Sequence, residues 1–332
     1  MALQSAAEAA RPVRVGVTGI GIMGSNHARV LSELPGAELV AIADPDIGQA
    51  ERVAGFLGCK AVGDHRALLD LGLDAVVIAA PTHLHHPIAL DVINAGTSVL
   101  VEKPVASTVA EGREIVAAAR AKNVTLMIGH VERFNPAVQA VKDAIAGEEL
   151  LSIAITRVGP FPPRMSNVGV VIDLAVHDID LIRWFTGSDI VEVQPQTTSA
   201  MAEREDIALL QFRTASGVLA HINTNWLTPF KARTVHVATR KKYVIGDLLT
   251  RQVTECFDYR PDGSYSMRHR PVAYAEPLRS ELEQFLNAVR SGKPPAVTGD
   301  EGVASLEIAI SCLTERSEGS HRSSADRRRA VG

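Results

Sequence analysis

Between residues 13 and 128 the sequence alternates short β-branched runs with longer stretches of helical spacing, and this alternation limits the fold more than any other feature. Residues 13–18, 39–43, 75–79, 98–101 and 125–128 read as strands; residues 22–34, 46–57, 83–95 and 109–122 read as helices. The run at 75–79 is apolar without a break, as a strand covered on both faces must be. Gly96 stands where a helix end favours a left-handed residue. Strands separated by helices of this length pair in parallel through right-handed crossovers. Residues 1–130 are therefore predicted as a doubly wound α/β domain.

After Gly129 the rhythm changes. A helix at 136–145 leads to a strand at 151–158, a proline-rich loop at 159–164 and a helix at 171–185 stopped by Gly187. From 190 to 275 strand follows strand, and helices at 278–290 and 301–313 close the pattern. Consecutive strands without intervening helices imply an α+β unit with a large, mostly antiparallel sheet. Residues 131–316 are assigned to this second domain, and 317–332, with Arg327-Arg328-Arg329, to a polar disordered tail.

Composition supports two cores rather than one. The chain has 332 residues, 46% hydrophobic but only 4% aromatic, so Ala, Val, Ile and Leu carry the burial. A formal charge of −4 gives no general attraction to nucleic acid or anionic membrane. Three scattered cysteines without a CxxC pair fit neither a disulfide framework nor a structural zinc site. With no apolar run of spanning length and no secretory pattern, the expectation is a cytoplasmic protein.

Gly19-Ile20-Gly21-Ile22-Met23-Gly24 is a GxGxxG run that follows a strand and opens a helix, the context in which this motif cradles a dinucleotide. Gly19 permits the tight turn, Gly21 lets the backbone approach a pyrophosphate, and Gly24 lets helix and strand pack closely. Asp44, at the end of the second strand, suits a ribose hydroxyl and would repel a 2′-phosphate, and no Arg or Lys follows it directly. NAD is predicted over NADP. Asp44 could equally serve the Asp44-Pro45-Asp46 turn.

Glu102-Lys103-Pro104 lies just past the strand 98–101, on the sheet edge where open α/β folds bind ligands. Asp173 and His177 are spaced i,i+4, so one helix face presents both. Oxidising an alcohol with NAD requires a group to accept the hydroxyl proton, and an imidazole titrates in the neutral range. An ammonium nearby favours the alkoxide-like transition state. Each residue also has a structural alternative: a solvent-facing lysine, a helix-start aspartate, a core histidine.

Together with Pro81-Thr82-His83-Leu84-His85, these motifs run in an order that resembles the glucose–fructose oxidoreductase/inositol dehydrogenase/MocA family of sugar dehydrogenases, over residues 13–313. The resemblance implies Lys103 and His177 as catalytic residues supported by Asp173. It implies cofactor contacts from Gly19, Gly21, Ile22, Met23, Gly24, Asp44, Ala80, Pro81, Thr82, His85, Glu102 and Lys103. It further implies assembly as a homodimer or homotetramer through the second domain's sheet. Thr82 stands where relatives often have asparagine. His83, His85 and His86 lack an accompanying carboxylate or cysteine, and no metal is expected there.

Residues 129–136 and 159–164 resemble the branch containing UDP-N-acetylglucosamine 3-dehydrogenases, whose 3-keto product an aminotransferase can take up. A UDP-hexosamine substrate would need cations, for which Arg133, Arg157 and Arg164 are candidates, with Asn135, Lys103, Asp173 and His177 as further substrate contacts. A free polyol or inositol substrate is the alternative, and a non-catalytic NAD-binding sensor the alternative of another class.

Overall fold

The computed structural model describes residues 11–162 and 168–314. In chain order the first part runs β1 (Val13–Thr18), α1 (Ile22–Glu33), β2 (Ala37–Ala43), α2 (Ile47–Leu57), β3 (Lys60–Val62), α3 (His65–Leu69), β4 (Ala75–Ile78), α4 (His85–Asn94), β5 (Ser98–Glu102), α5 (Val109–Lys122), β6 (Leu126–Gly129) and α6 (Pro136–Ala144). Then come β7 (Leu150–Pro160), α7 (Val176–Thr186), β8 (Ile190–Thr198), β9 (Ile207–Thr214), β10 (Leu219–Asn225), β11 (Leu227–Thr239), β12 (Lys242–Asp247), β13 (Gln252–Phe257), β14 (Ser266–Arg270), α8 (Pro277–Ser291) and α9 (Gly299–Thr314). Two compact units result, one of residues 11–143 with Pro271–Glu307, the other of Ala144–Arg270 with residues 308–314.

The first unit holds a six-stranded parallel sheet in the order β3-β2-β1-β4-β5-β6. Every residue of β4 is buried, which accounts for its unbroken apolar sequence. Asp46, Asp64 and Thr108 start α2, α3 and α5 by accepting a backbone N–H, and Gly58 and Gly96 end the preceding turns in left-handed geometry. The strand order reverses between β1 and β4, so the loops after these two strands flank the crevice where such sheets bind nucleotides.

The boundary differs from a cut at residue 130. Residues 131–143, α8 and the start of α9 belong to the first unit. The reason is packing: Leu278, Leu282, Phe285 and Leu286 form a buried stripe on α8, which rests on α1 and on the 3₁₀ turn Val131–Phe134.

The second unit is an eight-stranded sheet, β14-β13-β12-β11-β7-β10-β9-β8, in which only β7 and β10 pair in parallel. Burial alternates along β9: Ala208, Leu210 and Phe212 point inward, Leu209, Gln211 and Arg213 outward. The inner face packs on α7 and on a π turn, Val171–Ala175, that precedes it. The outer face leaves Leu209, Leu219 and Tyr243 exposed.

The helix predicted over 171–185 is thus a π turn continued by α7. Its entry is held by Glu205, whose backbone carbonyl accepts from Val170 N–H at 2.9 Å and whose carboxylate accepts from Val171 N–H at 3.2 Å. Gly169 makes room: a Cβ there would lie 1.9 Å from Glu205 Oε1. Among the described residues no helix is long and apolar enough to cross a membrane. The tail at 317–332 lies outside the described residues.

Candidate active site

The glycine-rich loop has the close contacts its spacing predicts at Gly19 and Gly24. Gly19 adopts φ +84°, and a Cβ on it would sit 2.5 Å from Ala80 N. A Cβ on Gly24 would come 1.7 Å from Gly19 O, so only glycine lets α1 start this close to the loop. At Gly21 an added Cβ would meet nothing within 4 Å. That open backbone is the N-cap of α1 and carries no capping side chain. First-turn N–H groups of a helix in this state suit a phosphate. Ile22 and Met23 flank them with exposed side chains.

Asp44 is half-buried and ties the loop together: Oδ2 accepts from Ile20 N–H at 2.7 Å and Oδ1 from Asp46 N–H at 2.9 Å. The turn role is thus filled, and it uses two of the about four acceptor positions of a carboxylate. Gln49 Nε2 donates to Ile20 O and braces the same loop.

Ala80, Pro81 and Thr82 follow β4, with Thr82 opening a 3₁₀ turn. His85 is buried at the start of α4, with Nδ1 2.9 Å from Pro104 O and Nε2 2.8 Å from Ala80 O. One ring thereby joins the loop after β4 to the loop after β5. Burial pushes His85 below its ordinary value, against the pull of those carbonyls. A neutral imidazole has one N–H, so it donates to one of the two carbonyls at a time. His86 is paired instead with Glu114, at 2.8 Å.

Lys103 follows β5, half-buried, and its bond to Pro104 is cis. Glu102 is a finding the sequence did not foresee. Predicted as a cofactor contact, it is buried, with Oε1 2.7 Å from His27 Nε2 and Oε2 accepting from Lys103 N–H at 3.1 Å. Burial opposes its ionisation, yet His27 and Lys103 keep it below the usual carboxylate range. Its oxygens hold the lysine turn. His27, three residues past Gly24, was the overlooked partner.

In the second unit Asp173 lies in the π turn and His177 at the start of α7, both half-buried. A π turn shifts the register to i→i+5 hydrogen bonds locally, a feature frequent at functional sites. The next residue, Asp178, is fully buried and receives Arg157 Nε at 3.0 Å and Nη2 at 2.7 Å. This two-pronged ion pair fastens α7 to β7.

The pair also bears on the cations expected to meet a substrate. Arg157 is 2% exposed and committed to Asp178, so it is a structural cation. Arg133 is 3% exposed, donating to Glu301 at 2.8 Å and to Ala296 O at 3.4 Å. Burial works against the Glu301 charge, but Arg133 and Thr298 hold it below the ordinary range. Asn135 accepts from Ala137 N–H at 3.0 Å and donates to Glu132 at 3.3 Å, at the entry to α6. All three residues are thus engaged within the fold. Arg164 lies outside the described residues.

The loops, helix start and acidic strand end are those of an NAD-binding domain, and comparison with known proteins agrees. Residues 13–130 match the oxidoreductase family with an NAD-binding Rossmann fold, and residues 149–247 match the GFO/IDH/MocA C-terminal domain. The chain belongs to this family. It is 29% identical over 304 residues to UDP-N-acetylglucosamine 3-dehydrogenase of Acidithiobacillus ferrooxidans, covering 90% of this chain and 95% of the relative. It is 31% identical over 334 residues to inositol 2-dehydrogenase 1 of Saccharopolyspora erythraea, covering 92% and 95%. A solved structure of the Acidithiobacillus enzyme superposes with a TM-score of 0.84 at 28% identity, covering 91% of this chain and 97% of the other. As a GFO/IDH/MocA oxidoreductase, the chain uses NAD.

Proposed function

We propose that this family member oxidises a secondary hydroxyl of a sugar, and that the sugar is the hexosamine of a UDP-hexosamine, oxidised at C3 to the ketone. The observation that carries this reading is the similarity, in both sequence and structure, to a protein named UDP-N-acetylglucosamine 3-dehydrogenase. The product would be a substrate for an aminotransferase. NAD supplies the hydride-accepting ring. Gly21 and the first turn of α1 hold the pyrophosphate, and Asp44 accepts the ribose hydroxyls through its remaining lone pairs while its charge disfavours a 2′-phosphate. The Ala80–Thr82 loop, pinned by His85, completes the cofactor bed. The His177 imidazole takes the substrate hydroxyl proton, the Lys103 ammonium stabilises the developing alkoxide, and Asp173 has a supporting role.

A second reading, a polyol dehydrogenase, is favoured by the relatives named inositol 2-dehydrogenases and by the engagement of Arg133 and Arg157 in structural pairs. Absorbance of NADH, followed with a panel of UDP-sugars and polyols, separates the two. Turnover of UDP-N-acetylglucosamine with NAD in preference to NADP is expected. Turnover of inositol alone would replace the first reading by the second, and an inert panel would favour an NAD-binding sensor.

The outer sheet face is proposed as a self-association surface, because Leu209, Leu219 and Tyr243 leave apolar area in water. Sedimentation should give a dimer or tetramer, and the double change Leu209→Lys, Leu219→Lys should shift it to monomer. An unchanged oligomer in that variant would place the interface elsewhere.

A further inference from the structure

In the first unit, His27 of α1, Glu102 at the end of β5 and Glu281 of α8 bring one donor or acceptor atom each to within 4.8 Å of one another, and all three are buried. No step proposed above uses Glu281 or His27. We propose that Glu281 is a positioning residue for Lys103: as a neutral carboxylic acid it completes a proton-sharing triad with His27 and Glu102, and the triad fixes the turn that carries the lysine. The proposal rests on the assignment of Lys103 to the chemistry.

The argument is one of matched protons. In the tautomer whose Nε2–H donates to Glu102 Oε1, 2.7 Å away, His27 has Nδ1 as a lone-pair acceptor, and this atom is buried with no hydrogen-bond partner among the described residues. Both oxygens of Glu281 are likewise buried without one. An isolated buried carboxylate is costly, whereas a buried carboxylic acid offers one O–H donor. No hydrogen bond joins Glu281 to His27 as they stand, but within one 4.8 Å cluster lie a spare acceptor and a group able to supply a proton to it.

The surrounding charges agree. α8 packs against α1, β1 and the 3₁₀ turn Val131–Phe134. These bring His27, Arg29 and Glu33; Arg14; and Glu132 and Arg133. Arg29 pairs with Glu276 and Glu33, Arg14 with Glu38, and Arg133 with Glu301, so their charges are committed elsewhere. What acts on Glu281 is burial and then the neighbouring Glu102 charge, and both push it well above the ordinary carboxylate range. The proton therefore stays on Glu281, and Glu102, engaged by His27 and by Lys103, keeps its charge.

A divalent metal is the competing occupant of a His–Glu–Glu set. The 2.7 Å contact between His27 and Glu102 argues against it, because two ligands about 2.0–2.2 Å from one tetrahedral ion stand farther apart than that. A hydrogen bond fits the distance.

The test compares the full-length protein with E281Q and E281L. A group whose native value is raised gives stability that is present at low pH and lost as pH rises from the unfolded carboxylate value, about 4.3, through the native one. In denaturant unfolding from about pH 5 to 8, wild type should therefore lose stability relative to E281Q as pH rises. Turnover should follow the same logic: E281Q keeps the wild-type kcat–pH profile, whereas E281L loses about 10- to 100-fold in kcat, with KM little changed, through displacement of the lysine turn. A wild-type advantage over E281Q that holds or grows with pH would overturn the proposal, as would stoichiometric metal in the purified protein. So would an E281L variant with the wild-type kcat and pH profile. Full turnover by K103M would instead remove the assignment of the lysine while leaving the stability slope of E281Q intact.

Discussion

A His177→Ala variant should bind NAD as the parent chain does and turn substrate over about 10²- to 10⁴-fold more slowly, the usual loss when a general base is removed. The separation of binding from rate follows from the fold. The groups proposed for the dinucleotide, the Gly19–Gly24 loop, Asp44 and the Ala80–Thr82 loop, all belong to the first unit, and His177 belongs to the second. Fluorescence titration with NAD and steady-state turnover measure the two quantities independently. Lys103→Met should behave alike, because the backbone N–H that bonds Glu102 and shapes the turn is kept in the variant. Near-normal turnover in the His177 variant would assign the proton transfer to another group. Loss of NAD binding in the Lys103 variant would make the lysine a nucleotide-holding residue.

The largest effect on stability is expected at Asp178. Removing the carboxylate with Asp178→Ala takes from Arg157 its two-pronged partner in a site where the two side chains are 3% and 0% exposed. Breaking a buried pair from one side costs about 3–5 kcal/mol, because a charge is left without compensation. Replacing both partners by apolar residues of similar size is often neutral. Denaturant midpoints should therefore fall steeply for Asp178→Ala and recover in Arg157→Met/Asp178→Leu. The double variant also carries a functional reading: Asp178 adjoins His177, so turnover restored along with stability would show that the pair acts only by seating α7. A single variant as stable as wild type would mean the pair contributes little to the fold.

The legible features were those whose cause is local. A GxGxxG loop marks itself by its glycines, and the structure gives Gly19 and Gly24 each a steric reason, whereas the backbone at Gly21 lies open. Asp173 and His177 were paired on α-helical spacing, whereas Asp173 lies in the π turn and His177 at the start of α7. The strand Lys60–Val62 was missed since three residues after Gly58 carry no periodicity. The π turn was missed because it depends on Glu205, which lies 34 residues from Val171.

Partnership was the least legible property. Arg133, Asn135 and Arg157 look from their types like groups awaiting an anion, but their partners are fixed by the tertiary structure: Glu301 is 168 residues from Arg133, and Asp178 is 21 from Arg157. The pairing of Glu102 with His27 was hidden in the same way, because His27 lies 75 residues away in sequence. A single chain shows which charges exist; the packing decides which of them remain available to a ligand.

The most direct measurement is the fate of the hydrogen on the substrate carbon. With UDP-N-acetylglucosamine deuterated at C3, the expected result is transfer of the deuterium to the nicotinamide, reduced cofactor one mass unit heavier, and slower NADH formation in a single turnover. Deuterium retained in the sugar, or no reduced cofactor from either isotopologue, would contradict a hydride transfer from that carbon.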